Sequence, residues 1–314
     1  MANILVTGAA GFIGSHTVDL LLTEGHSVVG VDNFHSGSIR NIDAAMANKS
    51  FSFVTKDVSI AGAFDGILSE HQFDSVIHLA GLVSVQKSIS DSELNYRSNV
   101  FATHLLAEAV GRHKVPRVIF ASSAAVYGQL DRLPLNEALP CRPVSPYGAA
   151  KLASESLLFG YAAANGFTVR CLRYFNVYGA RQHPSSPYSG VISIFLRKYM
   201  EAQPPTIYGD GSQTRDFIAV SDVARANVIS ATRPALSTGV SNICTGIQTS
   251  LNEVVAIMAE RFPRAPAPRY AAPRPGDILN SQGDPSLARE ELEFTASMDV
   301  NNGLGVLCNE LMDR

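Results

Sequence analysis

"ILVTGAAGFIGSH" (residues 4–16) passes from an apolar, β-branched run through three glycines spaced three apart, Gly8, Gly11 and Gly14, into sequence of helical type. Strand, glycine turn and helix in that order bring the backbone N–H groups of a helix start to a place where, without side chains in the way, a pyrophosphate can approach. A second apolar run, "SVVGVD" (27–32), ends on Asp32, eighteen residues beyond Gly14. A carboxylate there accepts bonds from the adenosine ribose hydroxyls and repels a 2′-phosphate. The next residue is Asn33 rather than Arg, so NAD is expected over NADP.

The pattern of this first unit repeats. "FSFV" (51–54), "SVIHLA" (75–80), "RVIFAS" (117–122) and "TVRCLRY" (168–174) are further short apolar runs. Near-continuous apolar strands suit a parallel sheet covered on both faces. Segments of helical period lie between them, such as residues 95–114 with Val100, Leu105, Leu106, Ala109 and Val110 ahead of Pro116. The alternation predicts an α/β fold, a doubly wound (Rossmann) parallel sheet. After about residue 175 the chain turns Pro-, Gly- and Ser-rich, as in 179–190 and 263–276, and predicts a smaller, loop-rich α/β lobe. The expected division is a dinucleotide-binding domain over 1–175, with a returning segment near 216–246, and a discontinuous lobe over 176–314.

Composition narrows the function. Hydrophobic residues at 46% and charged ones at 17% over 314 residues give a globular balance, with room for a main and a subsidiary core. A net charge of −3 gives no electrostatic case for nucleic acid or an anionic membrane. Cys141, Cys171, Cys244 and Cys308 form no Cys-x-x-Cys pair, and the eight histidines show no metal-binding spacing, so neither disulfides nor a metal is expected. With no basic leader and no apolar run near the ~20 residues a bilayer requires, a cytoplasmic protein is expected.

The chemistry clusters at strand ends. "HLAG" (78–81) closes the fourth run with small residues over which a dinucleotide can lie, His78 being read as a packed side chain. Asp57 and Val58 close the third, where an adenine contact and an ordinary strand-end Asp are both open. "FASSAAVYG" (120–128) sets two serines at the carboxyl edge of the fifth, where ligands bind in such sheets. In "SPYGAAK" (145–151) Tyr147 and Lys151 stand at i and i+4 on one helix face. Alone the pair is a weak signal. Behind a dinucleotide fingerprint and a strand-end serine it reads as a phenol made acidic by a neighbouring ammonium and an oxidised nicotinamide.

These motifs resemble the extended short-chain dehydrogenase/reductase superfamily, and within it nucleotide-sugar 4-epimerases of the UDP-glucose 4-epimerase type. The likeness runs almost end to end, through "VTGAAGFIGSH", "VDNFHSG", "HLAG", "SSAAVYG", "SPYGAAK", "LRYFNVYGARQ", "GDGSQTRDFIAVSDVA" and "RPGD". The resemblance implies NAD as cofactor, a UDP-sugar as substrate, and Ser123, Tyr147 and Lys151 as catalytic residues. It extends the cofactor contacts to Gly8, Gly11, Phe12, Ile13, Gly14, Asp32, Asn33, Asp57, Val58, Leu79, Ala80, Gly81, Asn99 and Tyr174. For the substrate it implies Ser84, Asn176, Arg215, Arg274 and Asp277, with arginine suited to pyrophosphate as a bidentate donor. Dehydratase and decarboxylase branches carry an acid just after the catalytic hydroxyl, where this chain has Ala124 and Ala125. Ser281 matches a gatekeeper position whose small side chain admits an N-acetyl group, so UDP-GlcNAc/UDP-GalNAc is expected, with UDP-glucose/UDP-galactose alongside. A uronate stays open, because Arg181, Gln182 and His183 lie in a loop that could face its carboxylate. A net-redox reductase and a non-catalytic NAD sensor are the competing readings; the joint presence of Ser123, Tyr147 and Lys151 opposes the second. A homodimer through helices near 95–114 and 147–165 is likewise implied.

Overall fold

The structure, a computed structural model, describes residues 1–130, 132–182, 190–273 and 278–312. Six parallel strands come first in the chain: β1 (Asn3–Thr7), β2 (Ser27–Asp32), β3 (Phe51–Thr55), β4 (Ser75–His78), β5 (Arg117–Ser123) and β6 (Thr168–Tyr174). With the later strand Gly239–Ile243 they form one seven-stranded sheet, in the spatial order Gly239–Ile243, β6, β5, β4, β1, β2, β3. β1 pairs with both β2 and β4, so the strand order reverses there. A crevice opens at such a reversal, outside the carboxyl ends of the strands. One apolar core lies on each face. Ile4, Val6, Ile77, Ile119 and Leu172 belong to one; Leu5, Val29, Val76, Val118 and Cys171 belong to the other. Burial on both faces explains the unbroken apolar runs in the sequence.

The sequence reading differs from the structure at strand ends and in one helix. β4 stops at His78 and β3 at Thr55, so Leu79–Gly81 and Asp57–Val58 lie in the connections beyond. The helix expected across 95–114 is broken in pitch: Ser92–Asn95 is α-helical, Tyr96–Phe101 is a π-helical turn, and Ala102–His113 is α-helical again. One extra residue in a helical turn leaves the apolar spacing almost unchanged, so periodicity does not reveal it. Helix Pro146–Asn165 begins where its sequence dictates. Ser145 caps it by accepting the Gly148 N–H, and Pro146 occupies the first turn, where its missing N–H costs nothing.

The second lobe is more regular than its loop-like composition suggested. Helices Val191–Met200, Leu251–Arg261 and Val300–Met312 enclose a third core around Ile192, Phe195, Leu196, Val254, Met258, Leu304 and Leu307. Short strands complete it, Thr206–Tyr208 pairing with Arg269–Ala271. Within 286–294 the chain also returns to the sheet. Ala288, Leu292 and Phe294 join the same core as Ile4 and Ile77, and the buried Arg170 of β6 pairs with Glu291 at 2.5 Å.

Candidate active site

The glycine turn closes on backbone. A Cβ built on Gly14 would stand 2.0 Å from the Gly8 carbonyl oxygen, and one on Gly8, at φ +70°, would stand 2.8 Å from the Ala80 nitrogen. Gly8 is therefore stacked directly on the Leu79–Ala80 peptide at the reversal point. The Leu79 N–H donates to the Thr7 carbonyl and the Ala80 N–H to the Thr7 hydroxyl, which ties the two strand ends. A Cβ on Gly11 meets only the Gly8 oxygen, at 3.1 Å. Helix Phe12–Thr23 starts there with no side-chain cap and no acidic residue in its first turn. Uncapped N–H groups beside a cradle that a Cβ would fill suit a pyrophosphate, and the residues fit NAD.

Asp32 closes β2 with its carboxylate turned inward, accepting the Ala10 N–H at 3.0 Å and the Phe34 N–H at 2.8 Å. Burial pushes it up, against the pull of those amides. The acceptor directions that the Ala10, Phe34 and Asn33 amides leave open can take a ribose hydroxyl. Asn33 bonds the Asp57 side chain; burial raises Asp57, but Ser59, Asn33 and Arg97 bring it net below its ordinary value. Val58 is buried. Ile13 packs on the sheet core and Phe12 stands edge-on to His16 beside Gly179, so both would meet a dinucleotide through backbone rather than side chain. Tyr174, expected beside the cofactor, pairs with Ser123 across the strand ends, and its buried hydroxyl donates to Asn227 at 2.5 Å, which in turn holds Thr17.

Ser123 and Tyr147 meet. Strand β5 carries Ser123 to the sheet edge, opposite Tyr174 of β6, and its hydroxyl accepts the Ala125 N–H at 3.2 Å while hydrogen bonding the Tyr147 phenol. The Lys151 ammonium lies 5.9 Å from the Tyr147 ring centre and 4.9 Å above the Phe120 ring. Both Tyr147 and Lys151 are enclosed. Burial pushes the phenol up, the Ser123 bond pulling it back, and burial brings Lys151 down to about 8. To the sequence reading, in which an ammonium and an oxidised nicotinamide both favour the phenolate, the structure adds desolvation, the larger effect on both groups.

Asn99, on the π-helical turn, donates its side-chain amide to the Leu82 carbonyl and to Asn95, and its side-chain Oδ1 is buried beside Gly81 without a partner. His78 is a packed side chain. Its Nδ1 bonds Thr7 at 2.8 Å, its ring stacks on Phe120, and burial brings it to about 3, so it stays neutral. Ser84 is buried and caps helix Val85–Ser90 by accepting the Lys87 N–H. Its hydroxyl proton is what it retains for a ligand.

Asn176 follows β6 by two residues, at the same sheet edge as Ser123, and is exposed. Its N–H donates to the Asp216 carbonyl, which sets it beside Arg215. The Asp216 carboxylate accepts from Thr245, Gly246 and Gly283, and the Ser281 N–H donates to the Thr214 carbonyl at 3.2 Å. Ser281 and Arg215 are thus neighbours on one strand edge. Arg274 and Asp277 lie outside the described residues. Next to this edge Tyr208, Gln213, Tyr270, Pro273, Ile278 and Leu279 line a cavity of about 700 Å³. In the loop that could face a uronate carboxylate, Arg181 pairs with Asp19 at 2.7 Å and Gln182 accepts from Ser193, while His183 lies outside the described residues.

One arrangement escaped the sequence reading. Glu155, a helical turn past Lys151, is buried and accepts the Ser122 hydroxyl, together with Arg173 Nε at 2.9 Å and Nη2 at 2.7 Å. Its spacing continues the Tyr147, Lys151 face, which is the signal that could have found it.

The NAD dependent epimerase/dehydratase family model matches residues 4–244. The UDP-glucose 4-epimerase of Mycolicibacterium smegmatis is 37% identical over 301 residues, 96% of this chain and 95% of its own. Among solved structures, a UDP-N-acetylglucosamine 4-epimerase from Methanobrevibacter ruminantium M1, in complex with UDP-N-acetylmuramic acid, superposes with a TM-score of 0.93 at 34% identity, covering 99% of this chain and 98% of that one. The UDP-glucuronic acid 4-epimerase from Bacillus cereus, in complex with UDP-glucuronic acid and NAD, gives 0.91 at 30% identity, covering 99% of both chains. With the glycine cradle, Asp32 and the Ser123–Tyr147–Lys151 cluster in place, the chain belongs to the NAD dependent epimerase/dehydratase family, and within it to the NAD-dependent nucleotide-sugar 4-epimerases.

Proposed function

We propose that the protein inverts C4 of UDP-N-acetylhexosamines, UDP-GlcNAc and UDP-GalNAc, and turns over UDP-glucose and UDP-galactose alongside. The observation that carries this reading is Ser281, a small side chain fixed by the Thr214 carbonyl next to Arg215. A bulky residue there would crowd the sugar's 2-substituent. The relative from Methanobrevibacter ruminantium, named for UDP-N-acetylglucosamine, supports it. The Arg181–Asp19 pair weakens the uronate alternative, because the guanidinium already has its carboxylate.

NAD⁺, when bound, supplies a hydride acceptor at C4 and gives the hydride back, so the reaction has no net redox change. Tyr147 takes the 4-hydroxyl proton, directly or across Ser123, and returns it to the epimer. Lys151 opposes the cost of a phenolate in this buried site. Asn176 and Arg215 hold the diphosphate side, Arg215 as a fork donor. Ala124 and Ala125 offer no carboxylate for removing a proton from carbon, so elimination is not served. NAD sits on 1–175 and the returning 216–246, and the sugar on the remainder. The outer face of helix Pro146–Asn165, with Leu157, Gly160 and Tyr161 around a shallow groove, fits a homodimer. A monomer at micromolar concentration in sedimentation would refute that assembly.

Ser281→Tyr tests the substrate assignment. Turnover followed by proton NMR on UDP-GlcNAc, UDP-glucose and UDP-glucuronate should show loss of the N-acetylated reaction with the glucose reaction kept. Equal loss of both, or wild-type turnover of the uronate alone, would overturn it.

A further inference from the structure

Glu155 is buried, and its carboxylate gathers three elements: the end of β5 through Ser122, the end of β6 through Arg173, and the helix that carries Tyr147 and Lys151. Ser122 directly precedes Ser123, so the bond to Glu155 fixes the strand end from which the Ser123 hydroxyl reaches Tyr147. The guanidinium of Arg173 is held bidentate on one side and lies 4.9 Å above the Tyr127 ring on the other, which leaves the carboxylate a single orientation.

The surroundings of Lys151 give that carboxylate a second consequence. Its own helix contributes Tyr147 and Glu155, β4 contributes His78, β5 the Phe120 ring, β6 Cys171, and the π-helical turn contributes Asn99. Burial keeps His78 neutral and Cys171 a thiol. Among the described residues Glu155 is the carboxylate that favours the Lys151 ammonium against desolvation.

We propose that Glu155 is a positioning residue of this active site, holding the Ser123 strand end against the helix of Tyr147 and Lys151 and setting a negative charge one helical turn from the Lys151 ammonium; the inference rests on the epimerase reading above. Removing its charge should let Lys151 lose its proton at lower pH and bring down the alkaline limb of kcat.

Glu155→Gln alone strands Arg173 in the core, so the informative variant is Glu155→Gln with Arg173→Gln, which removes both charges and leaves an amide pair. In NAD-loaded, folded protein its alkaline limb should fall by about one pH unit. Its kcat at pH 8 should drop about fivefold, with KM for the UDP-sugar within about twofold of wild type. Ser122→Ala keeps both charges and should retain the wild-type limb. A limb unmoved in the double variant, or a rise in KM at constant kcat, overturns the proposal. If the double variant does not fold, Glu155→Asp decides: it retracts the carboxylate from Ser122 by one methylene, and about a threefold or greater loss of kcat at constant KM is expected, whereas a wild-type kcat overturns it. Wild-type protein that turns over no UDP-sugar would refute the epimerase reading instead, a separate result.

Discussion

Adding one methyl group to Gly11 or to Gly14 should give opposite phenotypes. At Gly14 the new carbon would stand 2.0 Å from the Gly8 carbonyl oxygen and 2.8 Å from its carbonyl carbon. Ordinary contact needs about 3.4 Å, and the obstacle is main chain on which β1 and β4 are already stacked, so the helix start must shift by more than an ångström. Overpacking of this kind costs about 3 kcal/mol or more. In a chain of this size that lowers Tm by roughly 5 °C. At Gly11 the carbon meets the same oxygen at 3.1 Å and nothing else, with φ −76° and ψ 179° open to any residue. Gly11→Ala should therefore fold within about 1 kcal/mol of wild type yet lose NAD, because its methyl occupies the cradle. Thermal melts with and without added NAD, and cofactor content after denaturation, distinguish the two. Gly14→Ala that melts with wild type and keeps its NAD, or Gly11→Ala that copurifies with a full complement, would refute the reasoning.

Tyr147→Phe should lower kcat by about 10³-fold with UDP-sugar binding retained, measured by NMR turnover and equilibrium titration; a loss under tenfold would remove Tyr147 as the proton acceptor. Burial holds Lys151 at about 8 against an ordinary 10.5, so the folded chain binds fewer protons there than the unfolded chain between those values. Stability rises with pH across that window and bears the full penalty below it, on the order of 3 kcal/mol. Lys151→Met should accordingly raise Tm at pH 7 while abolishing turnover; a fall in Tm would contradict the desolvation account. His78 is lowered from 6.5 to about 3, so stability declines as pH falls through that range. His78→Asn should flatten the acid limb of a pH melt, and a limb as steep as wild type would show that His78 does not contribute to it.

How much could be read in advance depended on how local the determinant was. The sheet was legible because strands buried on both faces need continuous apolar runs, and the start of helix Pro146–Asn165 was legible in Ser145 and Pro146. Tyr147 and Lys151 were legible as one helix face, and the nucleotide turn as three glycines followed by Asp32. Contacts made by register were not. Ser122 meets Glu155 across 33 residues only because β5 and β6 pair Ser122 with Arg173. Arg181 finds Asp19 because the segment after β6 returns over the first helix, and at sequence level that arginine looked available to a sugar. At Tyr174 motif position suggested a ligand contact, and nothing local in the sequence showed that its hydroxyl donates to Asn227.

The π-helical turn Tyr96–Phe101 amounts to one surplus residue in a helix that otherwise keeps α pitch. Deleting Ser98 would let the helix run on as α from Asn95 to His113, with Thr103, Leu106 and Val110 still facing the core. Everything before the deletion would then turn by about 100° and advance about 1.5 Å. Asn95, whose amide donates to the Pro146 carbonyl and whose side-chain oxygen receives Asn99, would swing off both partners. A single-codon deletion could thus uncouple this helix from the start of the Tyr147 helix without exposing any of its apolar stripe, a lesion whose stability cost is confined to the buried Asn95 bonds while turnover bears the larger loss.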